Sequence, residues 1–318
     1  MDKNQVKLPA ILLMGPTASG KTAAAIALQQ RFPLEIISVD SAMVYRDMNI
    51  GTAKPDAAIL AAAPHHLIDL IDPTQRYSAA QFCSDAVPLM SQIHARGNIP
   101  LLVGGTMLYF KVLREGLSDL PCADAQLRTE IDQQAQQLGW PALHRELAVH
   151  DPLAASQIKP TDAQRIQRAL EVLRLTGRSL SSHWAEQRQA VAVFDWLPLA
   201  LIPTERSVLH TRIAQRFDSM LQLGLLDELT ALRQQYVLHA DLPAMRCVGY
   251  RQAWAHQHGE YSQTEMRERG VFATRQLAKR QLTWLRSMPD VQMTDCLAAS
   301  AQQALVEQVA RFLADRED

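Results

Sequence analysis

The chain has 318 residues, 47% of them hydrophobic, enough to fill one large core or two modest ones. Its formal net charge of −1 gives whole-chain electrostatics no part in attracting a nucleic acid, so any such partner must meet a local patch. Four scattered cysteines, Cys83, Cys122, Cys247 and Cys296, form no C-x-x-C pair. They argue against a zinc site or disulfide framework and fit a reducing compartment. Met1 to Lys7 is polar, and no run reaches about 18 apolar residues, so a soluble cytoplasmic chain without a membrane span is expected.

In chain order, the first predicted strand is the apolar run Ile11-Leu12-Leu13-Met14. It enters Gly15-Pro16-Thr17-Ala18-Ser19-Gly20-Lys21-Thr22, and Ala23 to Gln30 leaves as a helix. The motif fits G-x-x-x-x-G-K-[ST] in the strand–loop–helix setting it requires. Its glycines let backbone N–H groups turn toward phosphate oxygens. The helix N-terminus adds partial positive charge and Lys21 a full one. The Thr22 hydroxyl suits Mg²⁺. The loop does not say whose phosphates it holds: a nucleotide such as ATP and a pyrophosphate ester offer the same handle.

Glu35 to Asp40 is the next predicted strand, β-branched and ending in an acid. A third, Ile99 to Val103, runs into Gly104-Gly105-Thr106, with helical sequence including Ser78 to Arg96 between them. His65-His66 reads as structural or turn-forming, since no further ligand motif surrounds it. The alternation predicts an α/β chain with a doubly wound, mainly parallel sheet. Ligands in such sheets bind outside the carboxyl ends of the strands, so the phosphate loop, Asp40 and Thr106 are expected in one crevice.

From about Leu117 to Val193 strand signals fade, and a helical insertion is expected. Thr161-Asp162-Ala163-Gln164 reads as a capping box and Gly177 as a stop, with Ile166, Leu170 and Leu173 on one face. Trp196 to Ile202 returns to the sheet. Beyond Pro203, Leu209, Ile213, Phe217 and Leu221 repeat every four residues beside a basic pair, Arg212 and Arg216. From Arg246 to Arg286 eight Arg or Lys stand against three Glu, interleaved with Tyr250, Trp254, Phe272 and Trp284. That mixture suits phosphate contacts and base stacking, and an ordinary amphipathic helix pair would also show it.

Asp40 is open to three readings: an acid in a Mg²⁺ shell, a general base, or a cap for the turn that follows. Thr106 follows two glycines that allow close ligand approach, or it caps a helix. Arg212 and Arg216 are candidates to grip a phosphate group, or they form a solvated helix face.

Together these pieces resemble the bacterial tRNA dimethylallyltransferase (isopentenyltransferase, IPP transferase) family over nearly the whole chain. The likeness rests on the phosphate loop, on Ser38 to Tyr45, Asn49 to Pro55, Val103 to Tyr109, Gln164 to Arg168, Arg246 to Tyr250 and Thr274 to Arg286. It implies a P-loop NTPase-like core of residues 1–116 and 194–318. It also implies a helical insertion domain, residues 117–193, that grips the anticodon stem-loop of tRNA. The implied reaction moves the dimethylallyl group of dimethylallyl diphosphate to the N6 amine of adenosine 37, in tRNAs that read codons beginning with U. The chain is expected to act as a monomer.

By the same resemblance Asp40 is the base, Thr106 positions the reacting groups, and Lys21 and Arg216 hold the leaving diphosphate with Mg²⁺ on Thr22. Contacts to tRNA are implied for Asp40, Ser41, Ala42, Met43, Thr106 and Arg128, and for Gln164, Arg165, Ile166, Gln167 and Arg168. They are implied too for Met245, Arg246, Cys247, Val248, Gly249 and Tyr250, and for Lys279, Arg280, Gln281, Leu282, Thr283, Trp284, Leu285 and Arg286. A small-molecule or nucleotide kinase would share the phosphate loop but leave Gly104-Gly105-Thr106 and the basic segment unexplained. A non-catalytic RNA-binding protein would leave the intact Gly20-Lys21-Thr22 unexplained.

Overall fold

The structure, a computed structural model, describes residues 7–116, 120–121, 123–185, 193–288 and 290–316. Cys122 therefore lies outside the described residues, as do Met1 to Val6. The first part of the chain alternates β1 (Leu8–Met14), α1 (Lys21–Gln29), β2 (Leu34–Val39), α2 (Ala57–Ala62), β3 (His65–His66), α3 (Ala79–Ala95), β4 (Ile99–Gly104) and α4 (Met107–Glu115). A helical run follows: α5 (Ala125–Leu138), α6 (Trp140–His150), α7 (Pro152–Gln157), α8 (Ala163–Thr176) and α9 (Leu180–Ala185). The chain then returns through β5 (Phe194–Ile202), α10 (Arg206–Gln222), α11 (Leu225–Gln235), α12 (Tyr250–Gln257), α13 (Gln263–Arg286), β6 (Gln292–Asp295) and α14 (Ala301–Ala314). None of the described helices is long and apolar enough to cross a membrane.

The sheet is six-stranded in the order β3-β2-β4-β1-β5-β6, and every pairing is parallel. Central β1 is apolar on both faces: Ala10 to Met14 are fully buried, as a strand covered by helices on each side must be. The register sets one row level, with Met14 opposite Gly104 and Ala200, and Gly104 opposite Val39. Three strands therefore end side by side. A Cβ on Gly104 would lie 2.0 Å from the Val39 carbonyl oxygen, so only glycine fits where β2 and β4 close on each other.

Two strands escape the sequence patterns. His65-His66 is neither turn nor loop but a two-residue edge strand beside Ile36-Ile37, and β6 is a short polar edge beside β5. Neither is long enough to show an alternation. His66 Nε2 meets Glu35 Oε2 at 2.8 Å, which gives the histidine its structural role.

Contacts divide the chain into two compact units, Met1–Val112 with Ala192–Asp318, and Leu113–Val191. In the first, Leu209, Ile213 and Phe217 of α10 pack against Val271, Ala278 and Leu282 of α13. Gly270 admits the Phe217 ring, since a Cβ there would come within 2.1 Å of it. In the second unit, Ile131, Leu143, Leu147, Ile166 and Leu170 make an all-helical core. The cap of α8 is Asp162, which accepts the Arg165 N–H at 3.2 Å, one residue later than the Thr161 expected from the capping-box pattern. Gly177 ends α8 at φ 68°, as expected. Leu173 is only half-buried, and the fully buried neighbour is Glu171.

Candidate active site

The level row of strand ends decides what meets what. The phosphate loop begins one residue past β1, Asp40 one past β2, and Gly105-Thr106 directly past β4. Gly20 caps α1 from the left-handed region at φ 86°, and Ala18 shares that region at φ 63°, which is costly for a residue with a Cβ and concentrates strain in the loop. Lys21 folds back so that Nζ donates to the Pro16 carbonyl at 2.7 Å. The Ser19 hydroxyl is buried and has no hydrogen-bond partner among the described residues. A buried polar atom of that kind fits a cradle built for an anion.

Asp40 combines two of its readings. Its Oδ1 accepts the N–H groups of Ala42 at 2.8 Å and Met43 at 3.4 Å, so it does cap the turn. Its Oδ2 accepts no hydrogen bond among the described residues and is available to a substrate proton. Thr106 does not turn its hydroxyl into α4. Its Oγ1 accepts the Ser41 N–H at 3.1 Å and donates to Ser41 Oγ at 3.4 Å, while its own N–H donates to Val39 O. The two strand-end loops are thus stitched together beside the carboxylate.

Charge gathers at the same place. Burial first, and then the Arg216 guanidinium, push the Lys21 ammonium down to about 8, while Asp40 works against them. Arg216 is lowered by burial and held up by Asp40. Two cations and one carboxylate therefore feel one another in a partly desolvated pocket, with one positive charge in excess. Arg212 lies farther round, within electrostatic reach of the Cys296 thiol that Lys21 also reaches. Cys247 is pushed up to about 12 by burial and then by Asp40, which brings the stretch before α12 to the same carboxylate.

Among the described residues no three His, Cys, Asp or Glu side chains cluster as a metal cage. The donor set that remains, the half-buried Thr22 hydroxyl beside a phosphate cradle, fits Mg²⁺, which keeps waters and takes substrate phosphates as ligands.

The residues expected to touch RNA separate into kinds. Lys279, Arg280, Thr283 and Arg286 are exposed along the end of α13, and Lys111 Nζ stands 5.8 Å over the half-buried Trp284 ring. Gln164 and Arg165 are exposed on α8, and Ser41 is exposed beside Asp40. Arg246 is exposed but paired with Asp241 at 2.9 Å. Arg128 and Arg168 are half-buried on Glu171, and Gln167 donates to Asp132 at 2.7 Å. Ala42, Met43, Cys247 and Val248 are half-buried, and Gly249 caps α12 at φ 97°. Ile166, Met245, Tyr250, Gln281, Leu282 and Leu285 are buried, so their side chains belong to the packing rather than to a surface.

Sequence reasoning missed Glu228 altogether. Its carboxylate accepts the N–H groups of Asn49, Ile50 and Gly51 at 2.9, 2.8 and 3.2 Å and the hydroxyl of Tyr250. Lys54 closes the same loop by donating to Tyr45 O and Asn49 Oδ1 and pairing with Asp69. A lone acid in a helix carries no sequence signal for such a role.

Residues 43–288 match the IPP transferase family profile, and residues 8–69 match the isopentenyl transferase profile. A tRNA dimethylallyltransferase of Aromatoleum aromaticum is 59% identical over 308 residues, covering 96% of this chain and 96% of that protein. That of Chromobacterium violaceum is 60% identical over 308 residues, covering 96% and 94%. The crystal structure of a tRNA isopentenylpyrophosphate transferase from Bacillus halodurans superposes with a TM-score of 0.69 at 35% identity, over 98% of this chain and 96% of that one. A eukaryotic dimethylallyltransferase acting on tRNA gives a TM-score of 0.84 at 27% identity, over 97% and 80%. Identity sustained from β1 past the end of α13 makes this chain a member of the IPP transferase family.

Proposed function

We propose that the chain transfers the dimethylallyl group of dimethylallyl diphosphate to the N6 amine of adenosine 37 in tRNAs that read codons beginning with U. The products are N6-(dimethylallyl)adenosine and diphosphate. The observation that carries this reading is the row of strand ends, which sets a phosphate cradle beside a carboxylate with a free oxygen. In the proposed step N6 attacks C1 of the prenyl group as the C1–O bond breaks, and the electron pair leaves with diphosphate. An exocyclic adenine amine is a poor nucleophile because its lone pair is delocalised. Asp40 Oδ2 takes the N6 proton as the new bond forms. Lys21 and Arg216 face the charge that grows on the leaving group. The Thr22 hydroxyl, with the substrate phosphates, would hold Mg²⁺, which would supply further neutralisation of that charge.

The adenine reaches the carboxylate by leaving its stack in the anticodon loop. The exposed basic end of α13 supplies backbone contacts, and the enzyme acts as a cytoplasmic monomer. The test is to incubate the chain with unmodified tRNA, dimethylallyl diphosphate and Mg²⁺, digest the RNA and weigh its nucleosides, with ATP replacing the prenyl donor in a parallel tube. A dimethylallyl-adenosine peak only with the prenyl donor is the expected result. ATP converted to ADP with the phosphoryl group on an acceptor, and no such peak, would favour the kinase reading and make Asp40 a metal-shell acid.

A further inference from the structure

One side chain bonds to both loops of the site. Gln281, near the end of α13, is 8% exposed. Its Oε1 accepts the N–H of Thr17 in the phosphate loop at 2.9 Å, and its Nε2 donates to the carbonyl of Gly105 at 2.9 Å. Both polar atoms are thus engaged by the chain's own backbone. A primary amide suits the post because it offers an acceptor and a donor from one plane. The fit is close: a Cβ on Gly105 would stand 2.3 Å from Nε2. Gly105 has no positive φ, so what a methyl there would displace is the neighbouring amide rather than a backbone angle. From Gly105 the connection runs to Thr106, which holds the Ser41 N–H at 3.1 Å, and Ser41 follows Asp40. No other described side chain hydrogen-bonds to both loops.

We infer that Gln281 is a positioning residue for the reaction proposed above, not an RNA contact. It holds the phosphate loop at a fixed distance from the Gly105-Thr106 loop. The leaving diphosphate and the proton-accepting carboxylate thereby keep their separation. Displacement reactions need the reacting atoms about 3–3.5 Å apart, and a misplacement of about 1 Å costs on the order of 10²-fold in rate. A single bridge between the two loops is where such a misplacement begins.

The inference rests on the prenyl-transfer reading, and a double-mutant cycle tests it in the full chain. Gln281→Ala removes the bridge, and Gly105→Ala pushes it aside from the other end. Each lowers kcat by about 10²-fold and leaves the KM for tRNA within about twofold. In the double variant the Gly105 methyl has no amide to strike, so the loss is no greater than for Gln281→Ala alone. Gln281→Met, which keeps the volume, shows the same kcat loss without a cavity. Losses that multiply, a raised KM for tRNA with kcat intact, or a lowered Tm with both constants unchanged would each overturn the inference. Calorimetry with inorganic pyrophosphate separates this from failure of the proposed function. If the wild-type chain makes no prenylated adenosine, Gln281→Ala must still weaken pyrophosphate at least about fivefold, with Gly105→Ala adding nothing in that background.

Discussion

Asp40 is held by its own turn: two backbone N–H groups fix Oδ1 and leave Oδ2 for the substrate. Asp40→Asn keeps the Oδ1 acceptor and the turn but cannot take a proton. General-base help is worth about 10² to 10⁴, so turnover falls by that factor while pyrophosphate still binds. Single-turnover rates beside calorimetry check this, and near-wild-type turnover would move Asp40 to a supporting role. Lys21 offers a test by pH. Its ammonium is lowered to about 8, and a bound diphosphate favours the charged form. Binding therefore takes up a proton above pH 8, and affinity falls with rising pH by up to about tenfold per unit. Lys21→Met has weak affinity without that component, and subtracting its profile removes the ligand's own titration. The folding sign is the reverse. A lysine lowered in the folded state costs stability in full below about pH 8, and the cost fades as pH rises toward the ordinary lysine value. Lys21→Met should melt higher than wild type at pH 7, and the gap should close toward pH 10.

At the scale of elements, α8 carries the least ordinary buried group. Glu171 is fully buried, yet its carboxylate accepts Arg128 at 2.8 and 3.0 Å, Arg168 at 2.6 Å and the Asp124 N–H at 2.9 Å. Burial pushes its pKa up, and the two guanidiniums together with the Asp124 N–H outweigh that and hold it below the ordinary value. Removing one partner of such a buried pair typically costs about 3–5 kcal/mol, because the remaining charges lose their counterpart. Glu171→Ala should loosen α5 and α8, seen as faster amide exchange there while β1 and β4 stay protected. The group's pKa is lowered, so its contribution is present above the ordinary glutamate range and is lost as pH falls through the folded value. Uniform exchange in the variant would contradict this role. Glu171 also shows where the sequence stops being legible. Strand β1, the phosphate loop and Asp40 were readable because motif, periodicity and strand ends all point one way. Gln281, Glu228 and Glu171 were not readable as site-builders, because most of their partners lie 43 to 264 positions away and no local pattern encodes a distant group. The strands β3 and β6 failed for a different reason, being too short for any period.

For the whole molecule, the net charge of −1 means that attraction to a polyanion depends on where the cations stand and which are free. The stretch from Arg246 to Arg286 has an excess of basic side chains, but Arg246, Arg267 and Arg269 are paired with Asp241, Asp218 and Glu265. Arg275 is half-buried, and Trp254 is already covered by Arg233, whose guanidinium lies 4.8 Å from its ring centroid. Arg251 on α12 and, at the end of α13, Lys279, Arg280 and Arg286 are exposed and have no acidic partner among the described residues. Lys279, Thr283 and Arg286, at spacings of four and three, lie on one face of α13, as phosphate-binding groups on a helix should. Counting only the three cations at the end of α13, Lys279, Arg280 and Arg286, rather than the whole basic excess sets a shallow salt dependence. At about 0.7 to 0.9 counterions released per phosphate contact, tRNA affinity should fall roughly 20- to 40-fold between 50 and 200 mM salt from this surface alone. Replacing Lys279, Arg280 and Arg286 together by Gln should flatten the log–log slope by about 2 to 3 and leave pyrophosphate binding untouched. Filter binding across a salt series measures both slopes. An unchanged slope in the triple variant would mean that the phosphates are met elsewhere, and the exposed end of α13 would then be an ordinary solvated helix face.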